Sequence, residues 1–267
     1  MSAGAASGAA APVLYAVRGA LGVITLNRPE VANAMDAAGS AMVDGHVRAA
    51  EADPAIGAIV VTGAGDRAFC AGMDLREAAL RGAGHGLIPG AGFCGLTERA
   101  IAKPVIAAVN GAAVAGGFEI ALACDLVVAD EGTVFALPEI RRGMVAFTGG
   151  VQRLARILPR AAAMEIILTG APVPAERLAA LGVITRVVPR GTALAAACAL
   201  GDAMLANSWA AIAGARSLFD HACDVTLAAS IAHAHARRDT LLGSADSREG
   251  IAAYVEGRDA IFGKDQP

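Results

Sequence analysis

The sequence predicts an α/β fold: a core of alternating strands and helices followed by a purely helical region. Three observations predict it. Short β-branched and apolar runs alternate with helix-period segments as far as residue 129. One of these runs, "AIGAIVVTG" (55–63), is almost continuously apolar, the pattern of a strand buried on both faces. After Asn207 the strand signals stop and only helical periodicity is left. The expected organisation is a disordered tail over 1–12, an α/β core over 13–200 and a helical region over 201–267.

In chain order, Val13–Val17 and Gly22–Leu26 read as a hairpin joined by "RGAL". Asp36 is a capping residue for a helix running to about Ala52, with Met42, Val43 and Val47 on its apolar face. The strand at 55–63 is followed by a loop over 64–74 and a short helix, Leu75 to about Arg81. Gly82–Gly95 holds six Gly and one Pro in 14 residues. It reads either as a loop covering a binding site or as a mobile surface loop. A helix is expected after it, then a strand at Val105–Val109, a helix from about Gly116 and a strand at Leu126–Ala129. Helices are predicted at 150–157, 160–168, 174–180, 192–206, 209–220, 224–240 and 246–256, interrupted by a strand at Val183–Val188.

Composition narrows the function classes. The chain is 55% hydrophobic, 18% charged and 4% aromatic, with a mean hydropathy of +0.53. The most apolar long uncharged stretch, Pro104 to Phe118, has 15 residues and includes Pro, Asn and three Gly. A spanning helix needs about 20 apolar residues, so no membrane segment is expected. The apolar excess is assigned to subunit interfaces, which predicts a homo-oligomer. Net charge is −3, with no basic run and few aromatics, which disfavours nucleic-acid binding. Five Cys without a CxxC read as thiols of a cytoplasmic protein, and the uncharged N-terminus lacks the pattern of a signal peptide. The five scattered His form no metal constellation, and no G-x-S-x-G elbow occurs.

Two Gly-rich turns precede helices, "CAGMD" (70–74) and "VAGGFE" (114–119). Free N–H groups at two helix starts can form an oxyanion hole if they face one point. From spacing alone, ordinary strand-to-helix turns are the better fit. Two carboxylates also stand out. Glu119 sits in an otherwise apolar segment, where an unpaired charge is costly, and Glu139 follows Pro138 in "FALPEI". Such a pair can divide proton-transfer work. The bland alternatives are dipole complementation for Glu119 and a surface pair with Arg141 or Arg142 for Glu139.

The ordered set "ITLNRPEVANAMD" (24–36), "AIVVTGAGDRAFCAGMDL" (58–75), "KPVIAAVNGAAVAGGFEIALACDLVVA" (103–129), "FALPEIRRGM" (135–144), the stretch 149–189 and "REGIAAYVEGRDAIF" (248–262) resembles the crotonase (enoyl-CoA hydratase/isomerase) superfamily. The resemblance covers most of the chain. It implies a spiral of ββα units with a helical C-terminal oligomerisation region, assembled as a trimer or a dimer of trimers. It implies an acyl-CoA thioester substrate, no metal and no resident cofactor, with coenzyme A as part of the substrate. The family's oxyanion-hole positions fall on the backbone of Met73 and Gly116, and its two hydratase glutamates on Glu119 and Glu139. Ala71 and Asp74, within the first turn, are candidates for binding the CoA part of the substrate. Arg28, Arg258 and Lys264 are the candidates for the CoA phosphates.

The resemblance therefore implies an enoyl-CoA hydratase that adds water to a trans-2-enoyl-CoA through a thioester enolate. A 3,2-trans-enoyl-CoA isomerase or another crotonase reaction is the alternative, and a non-catalytic acyl-CoA-binding relative a third. Several positions depart from the common pattern. Ala115 stands where a first Gly is usual, and Phe118 where a smaller residue is frequent, which is expected to narrow the pocket near Glu119. Ala146-Phe147-Thr148 replaces Pro-Gly-Ala, and Trp209 replaces Pro.

Overall fold

The computed structural model describes residues 11–82 and 84–263. The tail expected at 1–12 lies outside these residues except for Ala11 and Pro12, whose carbonyls accept bonds from the side chain and backbone of Asn27.

Strands β1 (Val13–Arg18) and β2 (Leu21–Leu26) form the antiparallel hairpin read from the sequence. Helix α1 (Ala37–Ala52) starts where Asp36 caps it, its carboxylate accepting from Gly39 N at 2.7 Å, and it buries Val43, Val47 and Ala50. Strand β3 (Ala58–Gly63) is buried throughout. The segment read as a loop over 64–74 contains a short strand, β4 (Ala68–Cys70), before helix α2 (Leu75–Arg81). Three residues give too short a period for a strand to be recognised.

The glycine-rich segment is only partly a surface loop. It holds a small hairpin, β5 (Leu87–Ile88) and β6 (Gly92–Phe93), and Phe93, Cys94 and Leu96 join the main core. The helix expected next does not form. Glu98 N bonds back to the Ala91 carbonyl and Phe93 N to the Thr97 hydroxyl, which folds residues 91–98 into turns. Pro104 then forces an extended approach to strand β7 (Val105–Val109).

Strand β8 (Ala112–Val114), helix α3 (Gly116–Ala123), strand β9 (Leu126–Asp130) and strand β10 (Val134–Ala136) follow. A 3₁₀ turn spans Pro138–Arg142. Helices α4 (Gly150–Ile157) and α5 (Arg160–Thr169), strand β11 (Val173–Pro174), helix α6 (Ala175–Ala180) and strand β12 (Arg186–Val188) continue the chain. Helices α7 (Ala193–Leu205), α8 (Trp209–Ala222), α9 (Leu227–Leu242) and α10 (Ala245–Glu256) complete it. No single helix among the described residues is long and apolar enough to cross a membrane.

The large sheet has the order β1-β2-β3-β7-β9-β12, parallel except for the first pair, and the small one the order β11-β10-β8-β4. Alternation along β3 explains its apolar run. Ile59 and Val61 face the main core, shared with Phe69 and Phe135 of the small sheet, while Ala58 and Val60 face Ala197 and Cys198 of α7. Helix α7 is seated by buried Asp130, whose carboxylate accepts from the backbone N–H groups of Gly191, Thr192 and Ala193. Residue 200, the expected boundary, lies inside α7, whose packing on the sheet continues to Leu205.

Candidate active site

In the small sheet β4, β8 and β10 are mutually parallel neighbours. Parallel strands end at the same edge, so the three segments that follow them are delivered side by side. The first carries Met73, the second Gly116 and Glu119, the third Glu139. All four line one cavity of about 860 Å³, together with Ala71 and Asp74.

The two glycine-rich turns touch. Gly72 has φ +85°, and a Cβ on it would lie 2.9 Å from the Gly116 nitrogen. Met35 pairs with the first turn through Gly72 O and Asp74 N, which leaves the Met73 N–H free. Gly116 is the first residue of α3, where a helical N–H has no internal partner. Neither N–H donates to another protein group among the described residues. Ala115, in the place of a usual Gly, adopts φ +54° and ψ −127°. That conformation costs a residue bearing a Cβ about 1–3 kcal/mol.

Glu119 is 4% exposed and fully engaged. Its Oε2 accepts from the Thr148 hydroxyl at 2.6 Å, and its Oε1 from Gly150 N at 2.9 Å. Gly150 permits this approach, because a Cβ there would sit 3.1 Å from the glutamate's Cγ and Oε1. Glu139 is held differently. Its Oε2 is buried without a hydrogen-bond partner, and Arg141 turns instead to the Thr169 carbonyl. Burial raises its pKa from 4.5 to about 7; the nearby Glu119 carboxylate adds to the rise, while its own backbone N–H and Arg142 oppose it. The site thus pairs a carboxylate held by a donor at each oxygen with one whose Oε2 has none.

Two of the three expected phosphate ligands fall elsewhere. Arg28 does not line the cavity; its guanidinium is committed to Asp36 at 3.2 Å, Asp74 at 3.1 Å and the Ala34 carbonyl at 2.7 Å. It ties α1 and the first turn together, with its charge already balanced. Arg258 pairs with Glu249 and Glu256, both at 2.6 Å, at the end of α10 and away from the cavity. Lys264 lies outside the described residues. Phe118 does not narrow the pocket. It is buried against Phe135, ring centroids 5.2 Å apart, on the core side of α3.

The aromatic residues that line the cavity are Phe93 and Phe147, and its basic residues are Arg67, Arg76 and Arg142. Sequence reasoning did not single out Arg67, Arg76 or Gly150, and it named Arg142 only as a surface partner for Glu139. Thr148 left one trace, as a departure from the usual Pro-Gly-Ala.

Residues 17–265 match the family described as enoyl-CoA hydratase/isomerase. The chain belongs to the enoyl-CoA hydratase/isomerase family. It is 36% identical over 254 residues to a probable enoyl-CoA hydratase of Rhizobium meliloti, covering 94% of this chain and 97% of that one. It is 37% identical over 245 residues to a carnitinyl-CoA dehydratase of Salmonella enteritidis, covering 90% and 93%. Among solved structures, an enoyl-CoA hydratase from Mycobacterium tuberculosis H37Rv superposes with a TM-score of 0.90 at 37% identity, covering 95% of this chain and 99% of that one. The crotonase fold and family read from the motifs are thereby borne out, and with them an enzyme of the lyase class.

Proposed function

We propose that this family member is an enoyl-CoA hydratase that adds water across the double bond of a trans-2-enoyl-CoA. The observation that carries the reading is the pairing of Glu119 and Glu139 in one cavity with the free N–H groups of Met73 and Gly116. The two N–H groups bind the thioester oxygen and stabilise the negative charge that develops on it. Glu119 takes a proton from water as the hydroxide equivalent bonds to C3. The C2=C3 electron pair moves into the enolate, which then takes a proton from Glu139 at C2. The cycle closes when Glu119 loses its proton and Glu139 regains one. A pKa of about 7 suits Glu139 to this task, since an acid is most effective near the working pH.

No resident cofactor is needed, because coenzyme A arrives as part of the substrate. Leu75, Leu87, Phe93, Met144, Val145 and Phe147 supply an apolar lobe for the acyl chain. The rim arginines Arg67 and Arg76 are better placed for CoA phosphates than Arg28 or Arg258. A homo-oligomer is part of the proposal, supported by exposed Phe219, Leu227, Ile251, Tyr254 and Ile261 in the helical region. So is a cytoplasmic location, supported by the thiol-bearing composition.

The test is loss of conjugated-enoyl ultraviolet absorbance with a series of trans-2-enoyl-CoAs, with Glu139→Gln as control. Loss that requires Glu139 supports hydration. No loss with any chain length, while 3-enoyl-CoAs are converted to conjugated products, would replace it by double-bond isomerisation.

A further inference from the structure

We propose that Thr148 is a positioning residue, whose hydroxyl holds Glu119 as the proton acceptor and keeps it from sharing Glu139's proton. The inference rests on the hydration reading above and extends it to a residue that the two-glutamate pattern does not include. Thr148 is 5% exposed, lines the cavity and donates to Glu119 Oε2 at 2.6 Å. The short distance suits an O–H donor on a carboxylate oxygen. A hydroxyl has one proton to give, so this bond fixes its direction and leaves its lone pairs to accept from a water in the cavity. Gly150 N–H holds the other carboxylate oxygen at 2.9 Å. Gripped at both oxygens, Glu119 cannot rotate towards Glu139, whose Oε2 is left without a donor.

The remaining charged groups at the pair do not perform this task. Arg153 interacts with Glu119 through its charge, but its hydrogen bonds go to the carbonyls of Thr97 and Thr148. Arg142 acts on Glu139 through its charge. Thr148 is therefore the side chain whose hydrogen bond distinguishes the two carboxylates.

The test compares wild type with Thr148→Val, which keeps the shape and removes the donor, and Thr148→Ser, which keeps the donor. Loss of a buried hydrogen bond to a charged group predicts a kcat about 10- to 100-fold lower in Thr148→Val, with KM little changed. Thr148→Ser is expected to restore the rate to within a few-fold. The basic limb of the kcat pH profile, set by Glu139, is expected to move in Thr148→Val alone. A second readout needs no turnover: the titration of Glu139, followed by carbon-13 NMR of labelled glutamate and assigned with Glu139→Gln. Its step near pH 7 is expected to shift in Thr148→Val and not in Thr148→Ser. A wild type that hydrates no enoyl-CoA sinks the hydratase reading alone, and the titration then decides the role of Thr148. An unmoved Glu139 step in Thr148→Val, or an unchanged kcat and pH profile, overturns the proposal. Melting curves of both variants separate these outcomes from misfolding.

Discussion

Glu139→Gln is expected to lower activity sharply and stabilise the protein at the same time. The folded state holds the Glu139 proton more tightly than the unfolded chain does, with a pKa of about 7 against 4.5. Its contribution to stability is complete below 4.5 and is lost as pH rises through about 7. Full conversion of that displacement gives about 3 kcal/mol, and solvent in the open cavity reduces it to about 1–2 kcal/mol. Glutamine keeps the shape and never ionises. The variant should therefore melt about 2–8 °C above wild type near pH 8.5, with the gap shrinking towards zero near pH 5. Its kcat should fall by about two to four orders of magnitude, the usual contribution of a general acid. The assay is a pair of melting curves at each pH alongside enoyl-CoA turnover. A melting gain that is equal at both pH values would refute the argument, because it would arise from packing instead of from a buried charge.

Other substitutions probe the rest of the site. Gly72→Ala places a Cβ 2.9 Å from Gly116 N, so it should disrupt the proposed oxyanion hole and lower kcat about 10²- to 10³-fold; a wild-type kcat would show that the two N–H groups do not act together. Ala115→Gly relieves the strain of φ +54° but adds chain entropy to the unfolded state, for a net stabilisation of about 1 kcal/mol, read from thermal melts. A lower melting temperature would count against that strain. Phe147 is 72% exposed and lines both the candidate site and a neighbouring cavity of about 540 Å³. Phe147→Ala should raise kcat/KM for long acyl chains relative to short ones, and an unchanged chain-length profile would place the acyl end elsewhere.

Much of the fold was legible because it is local. The Asp36 cap, the start of α2 at Leu75 and the start of α3 at Gly116 follow from residues within one turn of each boundary. The buried strands announced themselves by apolar runs. Errors arose where the deciding contact is distant or the element too short. The helix expected after residue 95 gave way to turns because Phe93, Cys94 and Leu96 are drawn into the main core. Strands β4 and β11 have three and two residues, too few to show a period.

The site divides in the same way. By itself, the sequence determined the candidates for chemistry: two carboxylates, one of them in an apolar segment, and two turns whose glycines open the backbone. Only the tertiary structure decided what each of them meets. The parallel order of β4, β8 and β10 brings Met73, Gly116 and Glu139 to one edge. Thr148 and Gly150 reach Glu119 from 29 and 31 residues away and saturate it, while nothing reaches Glu139 Oε2. Arg28, the expected phosphate ligand, is claimed by Asp36 and Asp74. Periodicity and capping act over a few residues of chain, whereas desolvation and ion pairing depend on neighbours that only strand order and register bring together.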